Sequence, residues 1–126
     1  MQCPACKQSM VVMEYKEVEI DFCTACGGCW LDQGELGLIL HGVLHLPKAW
    51  ELAVGRSGKR PCPHCRRKMF QGPLPGTGIE VDVCATHGLW LDRGELQDVI
   101  RSQGDAPELR ALAGFFDDLF GSSKKR

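Results

Sequence analysis

Seven of the eight cysteines in this 126-residue chain, together with one histidine, fall into four pairs with a two-residue spacer: Cys3/Cys6, Cys23/Cys26, Cys62/Cys65 and Cys84/His87. That spacing constrains the fold more than any other feature, because a single tight turn then aims two soft ligands at one point. The pairs are separated by 16 residues (Cys6 to Cys23) and by 18 (Cys65 to Cys84), both within the window for a four-ligand zinc site. Buried free cysteines have no reason to keep such spacing. A thioredoxin-like redox pair calls for a long βαβ pattern that the chain lacks. The histidine in the second quartet favours zinc over an iron–sulfur cluster. The expectation is therefore two Zn2+ ions, one held by Cys3, Cys6, Cys23 and Cys26 and the other by Cys62, Cys65, Cys84 and His87.

The quartets belong to a duplication. "CPAC" at 3–6 answers to "CPHC" at 62–65, "VEIDFCTAC" at 18–26 to "IEVDVCATH" at 79–87, and "WLDQGEL" at 30–36 to "WLDRGEL" at 90–96. "VEIDF" and "IEVDV" alternate apolar and acidic residues, which predicts strands with one face buried. "MVVMEY" at 10–15 supplies a partner strand, turning near Lys16–Glu17, whereas the prolines and glycines of "GPLPGTG" at 72–78 read as a loop. Asp32/Glu35 and Asp92/Glu95 have capping-box spacing. After them come apolar stripes at helical period, Leu36, Ile39, Leu40 and Val43 in one copy and Leu96, Val99 and Ile100 in the other, with Gly104 as a stop. Capping outweighs a catalytic carboxylate pair, because the acids sit where a helix must start. Gly34 and Gly94 are unusual in a first helical turn, and close approach of a neighbouring group is the expected reason.

With "CPAC…IDFCTACGGCWLDQGEL" and "CPHC…VDVCATHGLWLDRGEL" in view, the chain resembles the transcription factor IIB-type zinc-ribbon family, a set of small bacterial zinc-finger domains. The resemblance covers about residues 2–42 and 61–103. It implies the zinc ligands named above and a non-enzymatic binding role.

The expected fold is a small metal-bound α+β protein. Two tandem zinc ribbons, each a β-hairpin with two knuckles followed by a short helix, precede a C-terminal amphipathic helix. The divisions are module one at 1–46, a linker at 47–60, module two at 61–104 and the tail at 105–126. In the tail, Asp105, Pro107 and Glu108 mark a helix start. Leu109, Leu112, Phe116 and Leu119 or Phe120 share a stripe that either packs on the modules or docks elsewhere, with Phe115, Phe116, Leu119 and Phe120 as docking candidates.

Charge divides the function classes. The net charge is −1, yet residues 1–40 carry −4, and residues 55–68 carry +6 through Arg56, Lys59, Arg60, Arg66, Arg67 and Lys68. Those six cations are candidate nucleic-acid contacts, or else a solvated linker and counter-charges for the thiolates. Cys29 takes the place that Leu89 holds in the second copy, so a buried thiol is expected, with a redox-active role or an alternate ligand role through the overlapping Cys26/Cys29 pair as the alternatives. His64 reads as a solvated loop residue, and His41 and His45 as helix surface. No catalytic triad, phosphate loop or nucleotide fingerprint appears. No apolar run reaches bilayer-spanning length, and the opening residues lack signal-peptide character. A cytoplasmic, non-enzymatic zinc protein that serves an unidentified protein partner is the leading expectation. Nucleic-acid binding and thiol sensing are the alternatives.

Overall fold

The computed structural model describes residues 1–15, 18–32, 56–74, 78–84, 86–102, 104 and 106–120. The copy-one helix expected after Asp32, including Gly34, Glu35, His41 and His45, lies outside the described residues, as do Lys16–Glu17.

Among the described residues seven strands form one sheet: β1 (Val11–Tyr15), β2 (Val18–Phe22), β3 (Cys29–Asp32), β4 (Arg56–Pro61), β5 (Lys68–Leu74), β6 (Ile79–Cys84) and β7 (Gly88–Leu91). The spatial order is β1-β2-β3-β7-β6-β5-β4. β1 and β2 pair as the alternation requires, from Val11 opposite Phe22 to Tyr15 opposite Val18. The repeated phrase supplies the centre of the sheet. Its two copies pair antiparallel, Trp30 opposite Trp90 and Leu31 opposite Leu89. The modules are thus joined through their most similar residues and not only through a tether.

Period-two alternation sorts this sheet into two faces. Val18, Ile20, Cys29, Leu31, Val81, Val83, Leu89 and Leu91 point to one side, where they meet Leu96, Val99 and Ile100 of α1 (Glu95–Arg101) and Leu109, Ala113 and Phe116 of α2 (Pro107–Phe120). Trp30 and Trp90 point to the other, among Cys3, Cys23, Cys62, Met10 and Met69. Within each phrase, Trp and Leu therefore brace opposite faces.

Several expectations change. "GPL" is strand: Gly72, Pro73 and Leu74 pair with Val81, Glu80 and Ile79. Pro73 is tolerated because β4 enters its pairing at Arg56 opposite Gln71, which leaves β5 a described neighbour on one side only at that point. Residues 56–60, assigned above to the linker, make up most of β4. Gly94 has φ 84°, so its lack of a Cβ answers to a left-handed backbone at the helix start. Pro107 opens α2 as expected, but Phe116 is fully buried and the Gln97 side-chain amide donates to its carbonyl. Phe116 is therefore core and not a docking residue. Phe115 and Leu119 are exposed, and the Phe120 side chain lies outside what the structure describes.

The central seam leaves no room for side chains at two glycines. A Cβ on Gly88 would lie 2.2 Å from the Leu31 carbonyl oxygen, and one on Gly28 would lie 2.3 Å from the Trp90 ring. At Gly114, in α2, a Cβ would meet nothing within 4 Å. Gly88→Ala should destabilise the fold by about 1–3 kcal/mol, whereas Gly114→Ala should stabilise it by about 0.5–1 kcal/mol through helix propensity. Thermal melts of the two zinc-loaded variants check the opposite signs.

Candidate metal centres

Each quartet is assembled by turns at the ends of strands. The Cys3 N–H donates to the Gln8 carbonyl and the Lys7 N–H to the Cys3 carbonyl, and Cys62, Arg66 and Arg67 repeat this arrangement. In the third knuckle the Gly27 N–H donates to the Cys23 carbonyl at 2.9 Å. The closing residue stands four after the first cysteine in all three, and it is left-handed: Lys7 at φ 70°, Gly27 at 82° and Arg66 at 67°. The fourth knuckle is one residue shorter and closes at His87 N–H to Cys84 carbonyl, 3.2 Å. This explains why Cys26 is followed by two glycines and His87 by one: Gly27 is the left-handed closer that the shorter turn does without.

The turns bring the donors together. In the first quartet Cys3 Sγ lies 3.6 Å from Cys26 Sγ, and Cys6 Sγ lies 3.4 Å from Cys23 Sγ. In the second, His87 Nδ1 is 3.5 Å from Cys84 Sγ and 3.8 Å from Cys62 Sγ, with Cys65 Sγ 3.9 Å from Cys84 Sγ. All four donor atoms of each quartet lie within 4.8 Å of one another. A zinc tetrahedron with bonds of about 2.3 Å has edges of about 3.8 Å, so both quartets fit the ion. Backbone N–H groups of Ala5, Cys6, Cys26 and His64 donate to the sulfurs of Cys3, Cys23 and Cys62 and stabilise them as thiolates.

Without a cation the thiols are in conflict. Burial pushes Cys62 up to about 12. Burial also raises Cys23, but the N–H of Cys26, the Cys6 thiol and the N–H of Ala25 outweigh it and bring Cys23 down to about 7. A bound divalent ion resolves this by holding every donor deprotonated, so zinc loading releases protons and weakens in acid. Cys29 joins neither quartet. It is buried on the helix face, and burial pushes its thiol well up.

Beside the metals, the tryptophans and aspartates of the repeated phrase bond to each other. Trp30 Nε1 donates to Asp32 Oδ1 at 2.8 Å, and Trp90 Nε1 to Asp92 Oδ1 at 3.0 Å. Asp92 is thus not a side-chain helix cap; of the expected capping box only the reverse bond forms, the Asp92 N–H donating to Glu95 Oε1 at 2.7 Å. Each aspartate also takes a second donor. Arg60 Nη1 reaches Asp92 Oδ1 at 2.7 Å and Asp82 Oδ2 at 3.1 Å. Asp32 Oδ1 lies 2.9 Å from His64 Nε2, which donates to it. His64 also stacks on His87 with ring centroids 5.0 Å apart, and it meets Trp30 edge-on at 5.8 Å. It is therefore a bridge between modules and not a free loop residue. Arg93 crosses the seam in the other direction, its side chain lying on Gly27. Of the six basic candidates, Arg60 is occupied inside the protein, while Lys59, Arg66, Arg67 and Lys68 are exposed. The Arg56 side chain is outside what the structure describes.

Paired knuckles on short antiparallel strands, each enclosing a closed four-donor site, define a tandem zinc-ribbon protein that binds two zinc ions. The chain belongs to the transcription factor zinc-finger family, whose model matches residues 2–41 and again 61–102. No curated protein and no solved structure matches the chain.

Metal analysis of the purified protein should give two zinc ions per chain, and a strong chelator should unfold it, because structural zinc contributes about 10–16 kcal/mol of apparent folding energy per site. Folded, metal-free protein would contradict the assignment.

Glu95 gives a pH signature independent of the ligands. Burial raises its carboxyl from the ordinary 4.5 to about 7, with Asp92 and Asp82 adding to the rise and the Asp92 N–H and Arg60 opposing it. The folded state therefore holds a proton that the unfolded state releases, and stability falls as pH climbs from about 4.5 to about 7. Glu95→Gln keeps the acceptor for the Asp92 N–H and has no charge to bury. Its melting temperature should exceed that of the parent by a margin that grows between about pH 5 and about pH 7 and levels off above it, as paired melts in excess zinc would show.

Proposed function

We propose that this protein is a non-catalytic zinc adaptor, cytoplasmic, that presents its ribbon surfaces to a protein partner of the transcription machinery. The observation that carries this reading is the closure of both metal sites. Each has four side-chain donors and so no position for a reacting water, which gives the ions a scaffolding role. The family description supports the link to transcription. No helix among the described residues is long and apolar enough to cross a membrane. Buried Cys29, its thiol pushed up by burial, gives thiol sensing no support.

Because Phe116 belongs to the core, removing the tail would unfold the second half. The informative variant is Phe115→Ser with Leu119→Ser, two exposed positions on α2. If α2 is the docking element, partners cross-linked to the zinc-loaded parent should be lost from this variant while its melting temperature changes little. Equal recovery would place docking elsewhere on the sheet.

Nucleic-acid binding remains a second reading, favoured by one feature. A hollow of about 290 Å³ beside the second metal centre is lined by Arg67, Lys68, exposed Phe70 and Thr86. A phosphate could meet the cations there while a base stacks on the ring. A gel-shift salt series with single-stranded DNA and RNA tests it: binding should fall steeply with salt and weaken in Arg67→Ala, and no shift at low salt removes the reading.

A further inference from the structure

The outer edges of the two halves are covered differently. In the second half β4 lies against β5, Gly58 packs near the Met69 carbonyl and the Gln71 side chain, and Arg60 holds Asp82 and Asp92. Asp82 is only 3% exposed as a result. The first-half counterparts of β5, Asp82 and Asp92 are β1, Asp21 and Asp32. The end of β4 also has a counterpart, since Gln2 bridges to Ser9 as Pro61 pairs with Lys68. Past that bridge, no described strand lies along β1, which ends the sheet. Val11 and Val12 are 49% and 60% exposed. Asp21 is half-buried; the N-terminal ammonium bears on it electrostatically, but no described side chain forms an ion pair with it as Arg60 does with Asp82.

We propose that the β1 edge binds an extended, arginine-bearing peptide strand of a partner protein, in the place that β4 occupies in the second half. The duplication supplies the template. A strand edge offers a row of backbone donors and acceptors to an incoming chain. The face beside it sets the chemistry. Val12 stands opposite Asp21 and Glu14 opposite Glu19, so the strand meets one apolar position and three carboxylates. An arginine crossing the edge reaches Asp21 as Arg60 reaches Asp82. A second copy of this chain docking β1 to β1 would set these carboxylates against their own kind, which disfavours it. Nucleic acid and anionic membrane are repelled for the same reason. This site rests on the adaptor reading and specifies one surface for it.

The test titrates full-length, zinc-loaded, 15N-labelled protein with a capped peptide of the β4 sequence RSGKRP. Saturable amide shifts are expected at Val11–Tyr15, and binding should weaken about tenfold in Asp21→Asn and equally for a peptide carrying Arg60→Ala. Should Asp21→Asn lose zinc, Glu19→Gln provides the carboxylate test on the same face. No shift at millimolar peptide, shifts confined to Lys68–Leu74, or affinity indifferent to both the arginine and the carboxylates would overturn the site. A flat titration leaves the adaptor reading standing, since cross-linking at Phe115 and Leu119 reports on that separately.

Discussion

Everything in this structure depends on bringing eight metal donors into two spaces that, without a cation, they cannot share. Thiolates within 4.8 Å of one another repel strongly in a buried setting, and neutral thiols there would forfeit the backbone N–H bonds aimed at them. A bound divalent ion would replace that repulsion with attraction to every donor. The tryptophans then gain a surface to pack on, since Trp30 and Trp90 are fully buried among the ligand cysteines and two methionines. The zinc side of the sheet is a core whose centre is ionic and whose walls are aromatic.

That arrangement explains why the copies face each other across β3 and β7. A single ribbon of this size buries too little surface to be stable by burial alone. Pairing the two phrases buries the central strands on both faces, with metals and tryptophans on one side and α1 and α2 on the other. The seam is close because Gly28 and Gly88 let opposing backbone and indole approach, and it is polar at its rim through His64 with Asp32 and Arg93 over Gly27. A Trp–Asp bond in each copy holds the indole to the metal side while the intervening leucine goes to the helix side.

The chain announces its local geometry openly and its long-range pairing hardly at all. The ligand quartets were legible because two-residue spacing is a property of one turn. β1, β2 and β6 were legible because alternation is a property of one strand. The pairing of β3 with β7 was not, since nothing within "WLDQGEL" says that its neighbour is "WLDRGEL"; the duplication itself was the available hint. β4 and the end of β5 were hidden by glycine and proline, which read as loop until the one-sided neighbourhood of Pro73 is known. Asp92 followed the capping rule in sequence but not in space, because Arg60 and the Trp90 indole hold its carboxylate. A left-handed Lys7 or Arg66 carries no sequence mark, whereas Gly27 at the same position of its knuckle did.

The copies agree in scaffold and differ in what holds their carboxylate pairs. In the second half one arginine from β4 serves both Asp82 and Asp92. In the first half the donor on Asp32 comes from the opposite module, from a knuckle residue, His64, whose counterpart is Ala5. A histidine at position 5 would find Asp92 already held by Arg60, whereas an arginine strand over the first half has Asp21 to meet while His64 keeps Asp32. Duplication followed by this divergence makes one half self-contained and leaves the other, among the described residues, with a β1 edge that no further strand covers and an Asp21 without an ion pair. An interaction surface placed there needs no new fold, only a strand from outside that repeats what β4 already does within the chain.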